Sequence, residues 1–413
     1  MHKPVQPVLP RLATFALEAT LRAMPVAVLM GARQTGKSTL VRADPVAGDR
    51  PYLTLDDFDI LAQARTSPDD LVRRAPVITL DEVQRAPEIL TAVKRAVDES
   101  RPRGQGRFLL TGSANLLLMR GVSETLAGRA GYVRLWPLSR RERLGLGEAG
   151  IWSGLLDTPV RDWYDLVQAQ TAPRADWADL ARAGGYPTPS LELGTSEDRG
   201  TWFRGYTQTY LERDLQDLSA IDNLVDFRRL MRIAALRVGG LVNRADMARD
   251  AGIPQSTIRR YLNLLEASFQ VVHIEPYSVN RTKRLVKSPK LYWSDTGLAM
   301  HLAGEDEPRG EHLENLVLSD LLAWRDARVP DAQILFWRTH TGEEVDLVVE
   351  SSGRLLPVEV KASPRVRAGD DRHLQTFRAQ YGDAAPGGLL LHSGEEVFWA
   401  ADGILAAPWW RVV

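Results

Sequence analysis

Along the first third of the chain, short apolar runs alternate with stretches of helical period. The runs are Val26–Met30, Tyr52–Leu55, Val77–Leu80, Phe108–Leu110 and Tyr132–Leu135. Runs of this kind predict strands covered on both faces, and the helical stretches between them predict a parallel sheet. From about 141 to 225 the pattern is mostly helical. It includes a turn at Gly184-Gly185-Tyr186-Pro187 and a long helix around Trp202–Leu218. From about 226 to 293, short helices precede strand-like runs at Gln270–Ile274 and Lys290–Trp293. Beyond about 294 a helix leads into strands that carry acidic side chains. Four regions follow, about 1–140, 141–225, 226–293 and 294–413.

Composition adds mainly exclusions. The 413 residues are 44% hydrophobic and 25% charged, with a formal net charge of −1. That balance is globular, and the length suggests roughly two to four domains. A near-neutral chain is not a globally basic nucleic-acid binder, so DNA contact would need a local basic surface. The absence of cysteine excludes disulfides, thiolate zinc sites and cysteine nucleophiles. Val26–Met30 is too short to cross a bilayer. The expectation is a cytoplasmic protein without membrane contact.

Gly31-Ala32-Arg33-Gln34-Thr35-Gly36-Lys37-Ser38 matches G-x-x-x-x-G-K-[ST] at every fixed position, between an apolar strand and a helix-compatible run. The two glycines let successive N–H groups face phosphates, and the following helix adds its positive end. Thr39 continues the same turn. Lys37 supplies a full charge to the β- and γ-phosphates of ATP, and the Ser38 hydroxyl suits a Mg²⁺ shell. Val77-Ile78-Thr79-Leu80-Asp81-Glu82 is the expected partner strand. Asp81 would hold Mg²⁺ and Glu82 would polarise the attacking water. A γ-phosphate sensor is expected at the end of Phe108–Ser113, Ser113 first and Thr111 second, against a plain Gly-Ser turn. Arg129 is the candidate arginine finger toward a neighbouring subunit, with a surface arginine as the alternative.

These stretches resemble the AAA-type ATPases of the additional-strand class. With Leu126–Arg129, Leu138-Ser139, Tyr210–Asp214 and the C-terminal motifs, they are similar to a bacterial and archaeal group that joins such a module to a winged helix and a nuclease-like domain. The resemblance implies an α/β fold: a P-loop ATPase sheet, a helical lid, a winged helix and a restriction-endonuclease-like α/β domain. It also implies a homo-oligomer, a hexameric ring or a relative of one. Arg213 is the candidate for a second sensor.

Phe227, Leu230, Met231 and Ala234 share one helical face; Asn243 can cap the next helix; Pro254 opens a third with Ile258, Leu262 and Leu265 inward. This reads as a helix-turn-helix with Arg259 and Arg260 near its exposed start. Arg281, Lys283, Arg284, Lys287 and Lys290 follow with no acid between them, as a basic wing would. The alternative is a lid or oligomer contact with solvated charges.

Near the C-terminus, Asp346 precedes Glu359 and Lys361, which share one strand face, with Glu314 upstream on a helix. Asp…Glu-x-Lys resembles the restriction-endonuclease-like superfamily. Asp346 and Glu359 are hard ligands for Mg²⁺, Lys361 would position water, and Glu314 could complete the shell. The alternative is a strand with a wet face and no cutting. Three functions stay open: an ATPase on DNA with a nuclease tail, a DNA motor or remodeller that never cuts, and a nucleotide-controlled switch with protein partners.

Overall fold

Five strands, β1 (Val26–Met30), β2 (Tyr52–Thr54), β3 (Ile78–Asp81), β4 (Phe108–Thr111) and β5 (Ala130–Arg134), pair in parallel in the order β2-β3-β4-β1-β5. This computed structural model describes the chain apart from residues 1–7, 44–46, 48–49, 101–103, 113–124, 215–220, 222, 281–283, 285–286 and 330, with backbone only at 212–214. Every residue of β1, β3 and β4 is buried. Such strands need cover on both faces, which explains their near-continuous apolar runs. Helix α1 (Ala13–Ala23) lies against β1 and β5, while α2 (Lys37–Ala43) leaves the loop after β1. In space β4 is inserted between β1 and β3. The C-terminal ends of these three strands therefore meet at one edge, where ligand sites of parallel sheets form.

The expected long helix at Trp202–Leu218 departs from simple winding. It runs as α3 (Ser196–Tyr206) and then widens into a π-type segment, Thr207–Asp214. Next comes the three-helix unit: α4 (Leu224–Leu236), α5 (Arg244–Ala251) and α6 (Gln255–Ala267). Asn223 and Asn243 cap the first two helices through their side chains, and Gly252 ends α5 in the left-handed conformation. The inward residues read from the sequence are all buried. An antiparallel ribbon, β6 (Val271–Ile274) and β7 (Lys290–Trp293), follows.

Helices α7 (Thr296–Ala303) and α8 (Gly310–Arg328) lead into a six-stranded mixed sheet. Its strands are β8 (Gln333–Arg338), β9 (Glu344–Ser351), β10 (Arg354–Lys361), β11 (Gly388–His392), β12 (Phe398–Ala401) and β13 (Ile404–Pro408). They are ordered β12-β13-β11-β10-β9-β8. Helix α9 (Arg372–Tyr381) packs on β9, β10 and β11. Helix α8 contacts this sheet and also α1. Asp326 on α8 accepts from Trp136 Nε1 (2.8 Å), and Asp320 accepts from Trp152 Nε1 (2.6 Å) and Gly150 N (3.0 Å). Among the described residues, no helix is long and apolar enough to cross a membrane.

Phe227 is fully buried in the three-helix unit, edge-on to Tyr261 with ring centroids 5.2 Å apart. Phe227→Ala should cost about 3–5 kcal/mol of stability. Urea unfolding followed by circular dichroism checks this; an unchanged midpoint would mean the unit is loosely packed.

Candidate functional site

The loop after β1 is shaped by glycine where nothing else fits. A Cβ on Gly31 would stand 2.2 Å from the Leu135 carbonyl oxygen, and Gly36 has φ +95°. Gln34 also takes a left-handed conformation, φ 63°. The Lys37 ammonium donates to the carbonyls of Gly31 (3.0 Å) and Ala32 (2.8 Å), folded back on its own loop. Thr35 Oγ1 donates to Ala32 O (2.9 Å). Burial lowers the Lys37 pKa to about 8 against the pull of Glu82 and Asp81. Arg33 and Gln34 are exposed on the loop, and Thr39 is exposed in the first turn of α2.

Asp81, at the end of β3, is 3% exposed. Its Oδ2 accepts from Ser38 Oγ (2.9 Å) and from the Tyr52 hydroxyl, and its Oδ1 accepts from Thr111 Oγ1. One carboxylate thus gathers the loop helix and three strands. Glu82 follows with φ 57°, a strained backbone for a non-glycine residue. Gln84 Nε2 donates to its Oε2. Burial raises the Glu82 carboxyl above its ordinary value, and Asp81 adds to the rise. Thr111, the second-choice sensor, is tied to Asp81; Ser113, the first choice, lies outside the described residues.

Two supports were not read from the sequence. Arg11 braces the loop from behind: it donates to Thr35 O (2.8 Å) and Trp136 O (2.6 Å) and pairs with Glu142 (3.2 Å). Nothing local in the sequence marks this contact. The second support is aromatic. Tyr206 OH donates to Arg33 O (3.3 Å) and accepts from Gln270 Nε2 (3.2 Å), just before the ribbon. Tyr186 OH lies 2.9 Å from Tyr206 OH, and Arg33 lies 5.9 Å from the Tyr210 ring centroid. Trp202, Tyr206 and Tyr210, four apart, carried a legible helical spacing. Tyr210 gives the Tyr210–Asp214 motif a place beside the loop; the Arg213 side chain lies outside the description.

Arg129 is at the opposite edge of the sheet. Its carbonyl accepts from Val26 N (3.2 Å), at the start of β1, some ~16 Å of strand from Gly31. Its guanidinium grips Asp98 through two bonds, 2.7 and 2.9 Å. It does not reach the loop of its own chain.

At the C-terminal sheet, the β9–β10 ladder runs as far as Leu347 opposite Val358. One step on, the Asp346 carboxylate accepts from Val360 N (2.9 Å). Lys361 Nζ donates to Glu359 Oε1 (2.6 Å), as the strand spacing predicts, and Glu359 Oε2 is buried with no partner among the described residues. Burial, then Asp346, pushes the Glu359 carboxyl up to about 8. Glu314 is likewise pushed up to about 8 by burial and Asp346. Lys290 stands against this cluster. Its ammonium is 3.1 Å from Glu314, 2.6 Å from Glu344 and 3.8 Å from Asp346. The Tyr292 hydroxyl also donates to Glu314.

The residues expected as a metal shell, Glu314, Asp346 and Glu359, come together beside the ammoniums of Lys290 and Lys361. Among the described residues, no set of three or more His, Asp or Glu is arranged to hold a metal ion. The basic wing is corrected in part. Arg284 is 5% exposed and pairs with Glu350, Gln333 and the Tyr277 ring, and Lys290 is 2% exposed. Both point inward because they link the ribbon to the sheet. Lys287 is exposed and lines a hollow shared with Glu266 and Glu275. Arg281 and Lys283 lie outside the described residues. Arg259 and Arg260 are exposed at the start of α6, as expected.

Comparison with known proteins agrees with the nucleotide site. The family model described as "AAA domain" matches residues 23–144. Two models described as domains of unknown function match 174–309 and 309–412. An uncharacterized protein of Mycobacterium tuberculosis is 33% identical over 407 residues, covering 96% of this chain and 82% of its own. The chain belongs to that protein's family. A Haemophilus influenzae protein of the same description is 22% identical, with 81% of this chain and 82% of its own covered. Among solved structures, the Walker-type ATPase PABY2304 of Pyrococcus abyssi is similar at 17% identity and TM-score 0.43, covering 72% of this chain and 98% of that one. Thermotoga maritima RuvB is similar at 17% identity and TM-score 0.29, covering 66% and 92%.

The family's N-terminal part is a P-loop ATPase core. Its donor set fits ATP and Mg²⁺: a buried lysine held by carbonyls that phosphate can replace, and a serine already bonded to a strand-end carboxylate.

If Lys37 meets phosphate as the cation, affinity should fall as pH rises through about 8. A non-hydrolysable ATP analogue should bind roughly tenfold or more weakly at pH 9.5 than at pH 7. In Lys37→Met that dependence should vanish along with most of the affinity. Fluorescence titration reads both; equal affinity at the two pH values would remove the lysine's role.

Proposed function

We propose that this protein is an ATP-hydrolysing, oligomeric AAA-type ATPase that acts on DNA. The carrying observation is the buried Asp81 carboxylate, which accepts from Ser38 and lies close to both Lys37 and Glu82. When ATP enters, Lys37 leaves the loop carbonyls for the β- and γ-phosphates, whose charge replaces those two bonds. Ser38 and Asp81 would hold Mg²⁺, which when bound supplies neutralising charge at the phosphates. Glu82 takes the proton of the attacking water; a carboxylate raised by burial is a stronger base. Tyr52 and Thr111 keep Asp81 aimed. Arg129 serves ATP only across a subunit boundary, and a ring would have to draw it from Asp98.

The DNA part rests on charge distribution. Residues 224–267 carry eight arginines against four carboxylates in a chain of net charge −1. Arg259 and Arg260 sit at the exposed start of the third helix, where a helix-turn-helix meets the groove. We read 226–293 as a winged helix following the ATPase core (1–140) and lid (141–225). We read 294–413 as a nuclease-like domain that binds rather than cuts. One observation favours a second reading, a nucleotide-controlled switch with protein partners: two cations of the expected wing, Arg284 and Lys290, are spent inside the molecule.

Glu82→Gln should bind ATP with near wild-type affinity and lose roughly 100-fold or more in turnover; retained turnover in a phosphate-release assay would remove its role as base. Duplex, single-stranded or branched DNA should stimulate wild-type turnover. Arg259→Glu/Arg260→Glu should weaken DNA binding and flatten its salt dependence by a slope of about two. If no DNA form binds at low salt or changes the rate, the switch reading replaces this one.

A further inference from the structure

The C-terminal carboxylates invite a divalent cation and already hold something else. Lys290 belongs to the ribbon, not to the sheet. Its backbone is fixed twice, opposite Ile274 in β6 and bridged to Leu241 beyond α4. The side chain then crosses to the other unit. Its ammonium lies 5.6 Å from the Phe336 ring centroid and meets one carboxylate from α8 and two from β9. The whole residue is 2% exposed. Two neighbours reinforce the arrangement: Tyr292 donates to Glu314, and Arg338 pairs with Glu344 (3.1 Å). A second ribbon-to-sheet pair, Arg284 with Glu350, lies along the same junction. Backbone continues it, with Tyr277 N bonded to Phe336 O (2.5 Å) and Phe336 N to Glu275 O (3.1 Å).

A buried carboxylate cluster must be compensated by cations, protons or donors. Here the ammonium of Lys290, the second lysine at Glu359, the Tyr292 hydroxyl and the Val360 amide supply the compensation. A divalent ion on Asp346 would lie beside a buried ammonium, and the two would repel with little water between them.

We propose that Lys290 is the resident cation of this cluster, filling by side chain the role a divalent metal would have. The carboxylates then serve as a clasp that fixes the ribbon and its three-helix unit onto the C-terminal sheet, and the domain does not cut DNA. Any use of this domain on nucleic acid is binding, with the chemistry confined to the ATP site.

The test uses the full-length protein without nucleotide. Mn²⁺ binding is measured by calorimetry, and nicking of supercoiled plasmid with Mg²⁺ is followed in parallel. Wild type should not nick, and its Mn²⁺ heats should be unchanged in Asp346→Asn, which keeps the acceptor for Val360. Lys290→Met keeps the stem and removes the charge; it should gain Mn²⁺ affinity roughly tenfold or more. That gain should vanish in Lys290→Met/Asp346→Asn. If Lys290→Met does not fold, wild type against Asp346→Asn still decides. Nicking, or a Mn²⁺ site, that wild type shows and Asp346→Asn removes would overturn the proposal. So would a folded Lys290→Met with no gain. ATP turnover of the same variants reports on the nucleotide site separately, so failure there leaves this result standing.

Discussion

The carboxylate of Asp81 is the point on which the ATPase core depends. A nearly dry carboxylate at a strand end must be met by donors, and three converge on it: Ser38 from the loop helix, Tyr52 from β2 and Thr111 from β4. Leaving such a group unpaired costs several kcal/mol, so the donors cannot drift independently. The sheet order makes the convergence possible. Because β4 is inserted between β1 and β3, Thr111 ends beside Asp81 and the loop after β1 opens next to both. Chemistry and folding thus share one set of bonds. The same hydroxyls that satisfy Asp81 fix its carboxylate beside the loop.

Buried charge is also what joins the parts of the chain. Arg11 and Glu142 meet behind the loop, and Glu142 additionally caps the helix that starts at Ser139 and accepts from Leu12 N (2.7 Å). Lys290 and Arg284 perform the equivalent task between ribbon and sheet. In each case a long cationic stem crosses from one unit to carboxylates on another. Removing one partner would leave the other buried and unmatched. These contacts leave the charges unevenly distributed: most arginines of the three-helix unit stay exposed, while Arg284 and Lys290 of its ribbon turn inward.

Between the loop and the three-helix unit runs a short polar and aromatic column, from Arg33 O through Tyr206 to Gln270. The rings of Tyr186, Trp202 and Tyr206 pack with centroids 4.9–5.4 Å apart. The π-type widening at Thr207–Asp214 brings Tyr210 into the same group, and such widenings often accompany functional positions.

Local pattern determined a good deal. The apolar runs located all five strands of the first sheet within two residues, and the glycine spacing with Asp81-Glu82 fixed the loop and its partner, because the backbone and charge requirements of phosphate binding are local. The faces of α4 and α6, the Asn243 cap and the Glu359–Lys361 pairing were equally legible, since helix and strand periods set them. What tertiary structure decided was which charges face which. Read in sequence, Arg281–Lys290 is a run of cations without an acid, yet the acids that claim Arg284 and Lys290 come from positions 314, 344 and 350. Arg129 was assigned by position and is engaged by Asp98 from a helix 31 residues away. Long side chains reach across units, and burial rather than spacing selects their partners.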